Sequence, residues 1–105
     1  MLVNKTKYDK DDIVTFKIAN GDEIVAKIVS EDENEYVLSK PTVVIPTQTG
    51  GLKLIPALFS VNPDKNISLS KKHIMIDSVT VEEVSAYYTS ATTGIQVPAK
   101  SKIIT

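Results

Sequence analysis

Ile13-Val14-Thr15-Phe16-Lys17-Ile18-Ala19-Asn20-Gly21-Asp22-Glu23-Ile24-Val25-Ala26-Lys27-Ile28-Val29 decides the fold. Two β-rich runs meet at an Asn-Gly pair. These residue types best tolerate positive φ, and a tight hairpin turn needs it because its twist must match the right-handed twist of the strands it joins. In the first run Val14, Phe16 and Ile18 alternate with Thr15 and Lys17, so one face is apolar. In the second run Ile24, Ala26 and Ile28 share a face while Val25 and Val29 lie on the other. A strand apolar on both faces implies burial on both sides, or a bend in a small barrel.

Working outward, Tyr36-Val37-Leu38-Ser39-Lys40-Pro41-Thr42-Val43-Val44-Ile45 reads as a third strand. Pro41 has no amide to donate, which implies a kink or an edge position there. Gly50-Gly51 marks a second hairpin turn, and Leu52 to Val61 reads as a fourth strand broken by Pro56. Asn62-Pro63-Asp64-Lys65-Asn66 is a turn. Ile67 to Ile76 carries apolar residues around a polar centre, and reads as two short strands joined by a tight turn or as one sharply bent strand. After Asp77 the period changes. Thr80-Val81-Glu82-Glu83 fits a capping box, and Val81, Val84 and Tyr88 recur at helical spacing, predicting a helix over about Val81 to Ser90. A strand is the alternative, because these residues also have high β-propensity.

From Asp12 to Ile95 this pattern resembles the Sm and Sm-like (LSm) family. Ile18, Gly21, Ile24, Ala26, Ile28 and Leu38 fill the apolar, glycine and small-residue slots of the first Sm motif. The Gly50-Gly51 hairpin, Ile55-Pro56-Ala57-Leu58-Phe59, Tyr87-Tyr88 and Thr93-Gly94-Ile95 are most similar to divergent Sm-like proteins of marine, cyanophage-type viruses. The resemblance implies a mainly β fold: a small, strongly bent five-stranded barrel of the Sm-like (SH3-type) class with a short C-terminal helix. It implies a homo-oligomeric ring, from pentamer to heptamer, in which the fourth strand of one subunit pairs with the fifth of the next. Strands within Leu52 to Val61 and Ile67 to Ile76 are then the interface. It also implies capture of single-stranded RNA.

The chain departs from the family at the RNA pocket. The slot for the pore-loop Asp is Glu31, and the slot for the base-holding Asn is Glu35, with Asn34 one residue away. In the second motif Leu69-Ser70-Lys71-Lys72-His73-Ile74 has the right spacing, but Ser70 and Lys71 stand where the family has Arg-Gly. Lysine is a point charge, without the planar stacking surface of arginine. The candidate RNA-binding residues are therefore Lys71, Lys72, His73, Asn34 and Tyr36, the last able to stack on a base. Each also has a plain role: Lys71 to His73 as an exposed turn, Tyr36 as a core or interface aromatic. The acidic run Glu31-Asp32-Glu33-Asn34-Glu35 would repel phosphates and reads equally as a solvated turn.

Composition narrows the field further. The chain has 105 residues, which fits one domain with a core over about 12–95, a polar lead-in and a C-terminal tail. Lys and Arg number 12 against 13 Asp and Glu, a net charge of −1, so no global basic field marks a nucleic-acid binder. Cysteine is absent, which excludes disulfides and thiolate chemistry. His73 is the only histidine and has two lysines beside it, so neither a metal site nor an acid–base pair is expected, and no cofactor. The chain reads as a non-enzyme. With no apolar run of spanning length and no leader-like N-terminus, a cytoplasmic protein without membrane contact is the expectation. Two rival classes stay beside RNA capture: an assembly ring that binds no RNA, and a monomeric SH3-type adaptor with an aromatic peptide groove.

Overall fold

The structure, a computed structural model, describes residues 6–93. Its elements in order are β1 (Ile13–Ile18), β2 (Glu23–Glu31), β3 (Glu35–Pro46), β4 (Leu52–Pro56), β5 (Ile67–Ser70), a 3-10 turn (Lys71–His73), β6 (Ile74–Val79) and α1 (Glu82–Thr92). The strands form one antiparallel sheet in the order β4-β3-β2-β1-β6, with β5 paired to the first part of β3. The fold is thus mainly β with one C-terminal helix, as expected. The ladder has six strands, and it is not closed by pairing between its two ends. The sixth strand arises because the 3-10 turn divides 67–76 into β5 and β6. β4 also ends at Pro56 instead of running to Val61. The Ala57 amide beyond it donates to the Pro41 carbonyl, 2.9 Å away.

The opening hairpin forms at Asn20-Gly21, with Phe16 facing Ile24 and Lys17 facing Glu23. Gly21 takes φ +96°, the left-handed conformation that glycine adopts without steric cost. The Asp22 amide donates to the Asn20 side chain at 2.9 Å, and the Gly21 amide to the Ile18 carbonyl at 2.8 Å. The Ala19 amide donates to the His73 carbonyl, which pins the hairpin tip to the 3-10 turn.

Two irregularities bend the β2–β3 pair. Val25 faces Thr42 but Lys27 faces Ser39, so β3 carries an extra residue opposite Ala26. Ile28 faces Leu38 but Ser30 faces Val37, so there the extra residue is in β2. Each bulge bends its strand and adds twist. The first lies beside Pro41, the kink foreseen there, and Lys40 takes φ +48°.

The bent sheet buries both its faces. On one, Val14, Phe16, Ile24, Ala26, Ile28, Tyr36 and Leu38 pack together with Tyr8. On the other, Val25 and Val44 pack under Tyr88 of α1. The doubly apolar β2 is accounted for: Ala26 and Val25, adjacent in sequence, are buried on opposite faces.

α1 begins later than the capping-box reading places it. Val81 is the N-cap and makes no side-chain cap hydrogen bond. Thr80 is instead tied to β1: its amide donates to the Ile13 carbonyl, and its hydroxyl lies 2.8 Å from that of Thr15. That backbone pairing holds Thr80 to the sheet and withdraws its hydroxyl from the helix. Glu82 and Glu83 still stand in the first turn, where carboxylates suit the helix dipole.

Candidate functional site

One end of the sheet gathers most of the candidate residues. The turn after β2 is shaped by Asp32, whose Oδ1 accepts from the Asn34 and Glu35 amides at 2.8 and 2.9 Å. Those two amides hold its carboxyl below the usual range. The 3-10 turn docks against this loop through the Lys71 amide, which donates to the Asn34 carbonyl at 2.9 Å. Asn34 and the Lys71-Lys72-His73 turn, 37 residues apart in sequence, are therefore neighbours.

The side chains of the cluster divide into engaged and free. Lys71 Nζ sits 2.8 Å from Glu31 Oε2, and the Glu31 side chain is only 5% exposed. The same ammonium lies 4.8 Å from the centroid of the Tyr36 ring, a cation–π contact. Tyr36 is 3% exposed and packs against Phe16, with ring centroids 5.1 Å apart. A ring so placed presents almost no free face to a base. Lys72, His73 and Asn34 have exposed side chains.

Glu31 also anchors the lead-in. Its Oε1 accepts from the Lys7 and Tyr8 amides at 3.0 and 3.2 Å. The Tyr8 ring enters the core beside Tyr36, and its hydroxyl donates to Asp77 on β6. Lys7 Nζ completes the site, 2.9 Å from Asp77. Burial, then the bond to anionic Asp77, pushes the Tyr8 phenol well above its ordinary value. Burial followed by the negative charge of Glu31 pushes Tyr36 up to about 12. For Asp77 burial works upward, but the Tyr8 hydroxyl and Lys7 together outweigh it and leave the carboxyl lowered. These groups form a clasp in which each buried charge has a partner, the condition for keeping charges out of water.

A second polar knot lies across the sheet. At the β3 bulge the ladder leaves backbone groups without strand partners, and the Tyr88 hydroxyl meets them. It lies 2.7 Å from the Ser39 carbonyl, 3.0 Å from that of Lys40, and accepts from the Lys27 amide at 3.2 Å. Burial pushes this phenol up to about 12. Lys40 Nζ donates to the Thr92 carbonyl at 2.8 Å, fixing the end of α1 over the bulge.

Sequence reasoning missed the roles of four of these residues, Tyr8, Glu31, Lys71 and Tyr88. Tyr8 sits in a polar run that reads as a lead-in, and its being the only aromatic there was the available signal. Glu31 and Lys71 are 40 residues apart, and no local pattern links them. The Tyr88 hydroxyl finds its partners only because β3 bulges. Among the described residues no group of three His, Cys, Asp or Glu is placed to hold a metal ion. Nor is any helix there long and apolar enough to cross a membrane. No protein-family model matches the chain, and no curated protein matches it either.

Proposed function

We propose that this chain is a self-assembling module, Sm-like in its path, that builds a homo-oligomeric ring through its strand edges. The observation that carries this is the state of β6. Among the described residues it pairs only with β1 and leaves its outer edge open, and it exposes Met75, Ile76 and Val79 by 69%, 64% and 61%. An open apolar edge invites pairing with another chain, and natural proteins cover or charge such edges. The β4 margin at the other end of the sheet is equally open and exposes Leu52. Joining β6 of one copy to the β4–β5 margin of the next is a heterologous contact, which closes into a ring when its rotation permits. The path supports the small-barrel form of this proposal. β5 and β6 pair at different ends of the sheet yet are joined by one 3-10 turn, so those ends are drawn together.

RNA capture is a second reading, favoured by the exposure of Lys72, His73 and Asn34 on one shared turn cluster. Against it stand the exposed Asp32 and Glu33 beside them, and the use of Lys71 and Tyr36 within the fold. Light scattering on the purified chain tests assembly: a mass several times the monomer is expected, and a monomer at micromolar concentration overturns it. The charged edge variants Ile76→Lys and Val79→Lys should lower that mass while leaving the circular dichroism spectrum unchanged. Titration of labelled single-stranded RNA at low salt then separates the two readings. Binding lost in Lys72→Ala/His73→Ala supports capture at this turn, and no binding by the assembled protein leaves the assembly role alone.

A further inference from the structure

A groove of about 480 Å³ opens where β3, β4, the loop 57–66 and the end of α1 meet. That is within the ~300–1,000 Å³ span of cavities that enclose compact apolar ligands. Leu54, Leu58, Phe59 and Val61 supply apolar wall, and Ala91 and Thr92 of α1 also line it. Phe59 is 80% exposed, and Leu58 and Val61 are 46% and 41% exposed. Three large apolar side chains within four residues of one loop, left open together, mark a surface built to be covered.

The described chain ends beside the groove. Thr92 is a lining residue, and its carbonyl is held by Lys40, another lining residue. Gly94-Ile95-Gln96-Val97-Pro98 continues the chain from there. Glycine just past a helix end lets the backbone reverse direction. A residue before proline favours extension, and in an extended run of this sequence positions 95 and 97 share one side. At ~3.4 Å per extended residue, two and four residues of chain beyond Thr93 span at most about 7 and 14 Å. A tether this short gives an effective concentration on the order of millimolar, against which a separate partner must compete.

We propose that Ile95 and Val97 of the chain's own C-terminal segment occupy this groove and cover Phe59. The chain has no tryptophan, so Phe59→Trp provides a single reporter at a position exposed enough to tolerate it. In the otherwise unchanged full chain, its emission should be blue-shifted and its acrylamide quenching constant at least threefold lower than in the same chain carrying Ile95→Asp and Val97→Asp. Equal quenching in the two proteins overturns the proposal. Protection that grows with protein concentration also overturns it, because it assigns the groove to a second copy. A measurement without substitution stands beside this one: methyl-to-ring nuclear Overhauser contacts from Ile95 and Val97 to Phe59 in the unmodified protein, whose absence refutes docking.

Discussion

Tyr88→Phe removes one oxygen atom and keeps the ring. The ring stays where it is, 1% exposed against Val25 and Val44. What is lost is the acceptor for the Lys27 amide and the donor shared between the Ser39 and Lys40 carbonyls. Each buried group left without a partner costs about 1–3 kcal/mol. The site is part-buried and a carbonyl is easier to leave under-satisfied than an amide, so a total of about 2 kcal/mol is expected. That is roughly a 30-fold shift in the folding equilibrium, or a fall in Tm of about 8–15 °C for a chain of this size. Tyr88→Ala should cost more, about 3–5 kcal/mol, because it also opens a cavity. The assay is urea unfolding followed by circular dichroism at one fixed protein concentration, since assembly would make stability concentration-dependent. Hydrogen exchange at the Lys27 amide supplies a local readout and should accelerate more than at neighbouring β2 amides. A Tyr88→Phe protein within about 0.5 kcal/mol of the parent, with Lys27 still protected, would refute the idea that this hydroxyl completes the bulge.

Lys71→Ala should lower Tm through a loss of about 1–2 kcal/mol, because the nearly buried Glu31 carboxylate then lacks its counter-charge; Lys72→Ala should leave thermal unfolding unchanged, and equal effects would show that the ion pair is idle. Asp77 has a lowered pKa when folded, so its contribution is present above the unfolded value of about 4 and is lost as pH falls below it. Acid titration should therefore release Tyr8 from the core, seen as loss of Tyr8–Tyr36 nuclear Overhauser contacts, and Asp77→Asn should weaken that acid dependence. Tyr8, Tyr36 and Tyr88 have raised folded values, so their contribution is complete below the unfolded pKa of about 10 and is lost as pH rises from there, through about 12 for Tyr36 and Tyr88 and at still higher pH for Tyr8. Absorbance of the phenolates should rise together with unfolding over that range, and fully reversible titration of all three in a folded protein would contradict it.

The fold was legible wherever local chemistry and global packing agreed. Asn20-Gly21 marked the hairpin because positive φ is needed at its turn, and the alternation of Val14 and Phe16 marked the buried face. Pro41 marked the kink in β3 because proline cannot serve a ladder. Thr80 misled because a capping box is a local pattern, and a long-range backbone pairing to Ile13 won the residue. The extent of β4 misled for a related reason: Leu58, Phe59 and Val61 have strand-like chemistry but leave the sheet to line a groove.

The candidate site was legible in placement but not in use. Motif spacing brought Asn34 and the Lys71-Lys72-His73 turn to one end of the molecule, where the Lys71 amide meets the Asn34 carbonyl. It could not say that a glutamate would bind the first lysine, because charge pairing across 40 residues has no local signature. The pairing carries a physical logic all the same. A carboxylate at Glu31 accepts two lead-in amides and one ammonium at once. Lys71 can serve Glu31 and the Tyr36 face together because an ammonium on a flexible stem accepts any approach, where a planar guanidinium would demand a fixed one. Glu31 and Lys71 thus complement each other. Together they form a strut that ties the lead-in, β2 and the 3-10 turn to one another. Exchanging the pair as Glu31→Lys with Lys71→Glu should recover part of the stability lost by either change alone, though not the amide contacts to Lys7 and Tyr8. A double variant no more stable than the worse single one would show that the two residues are not coupled.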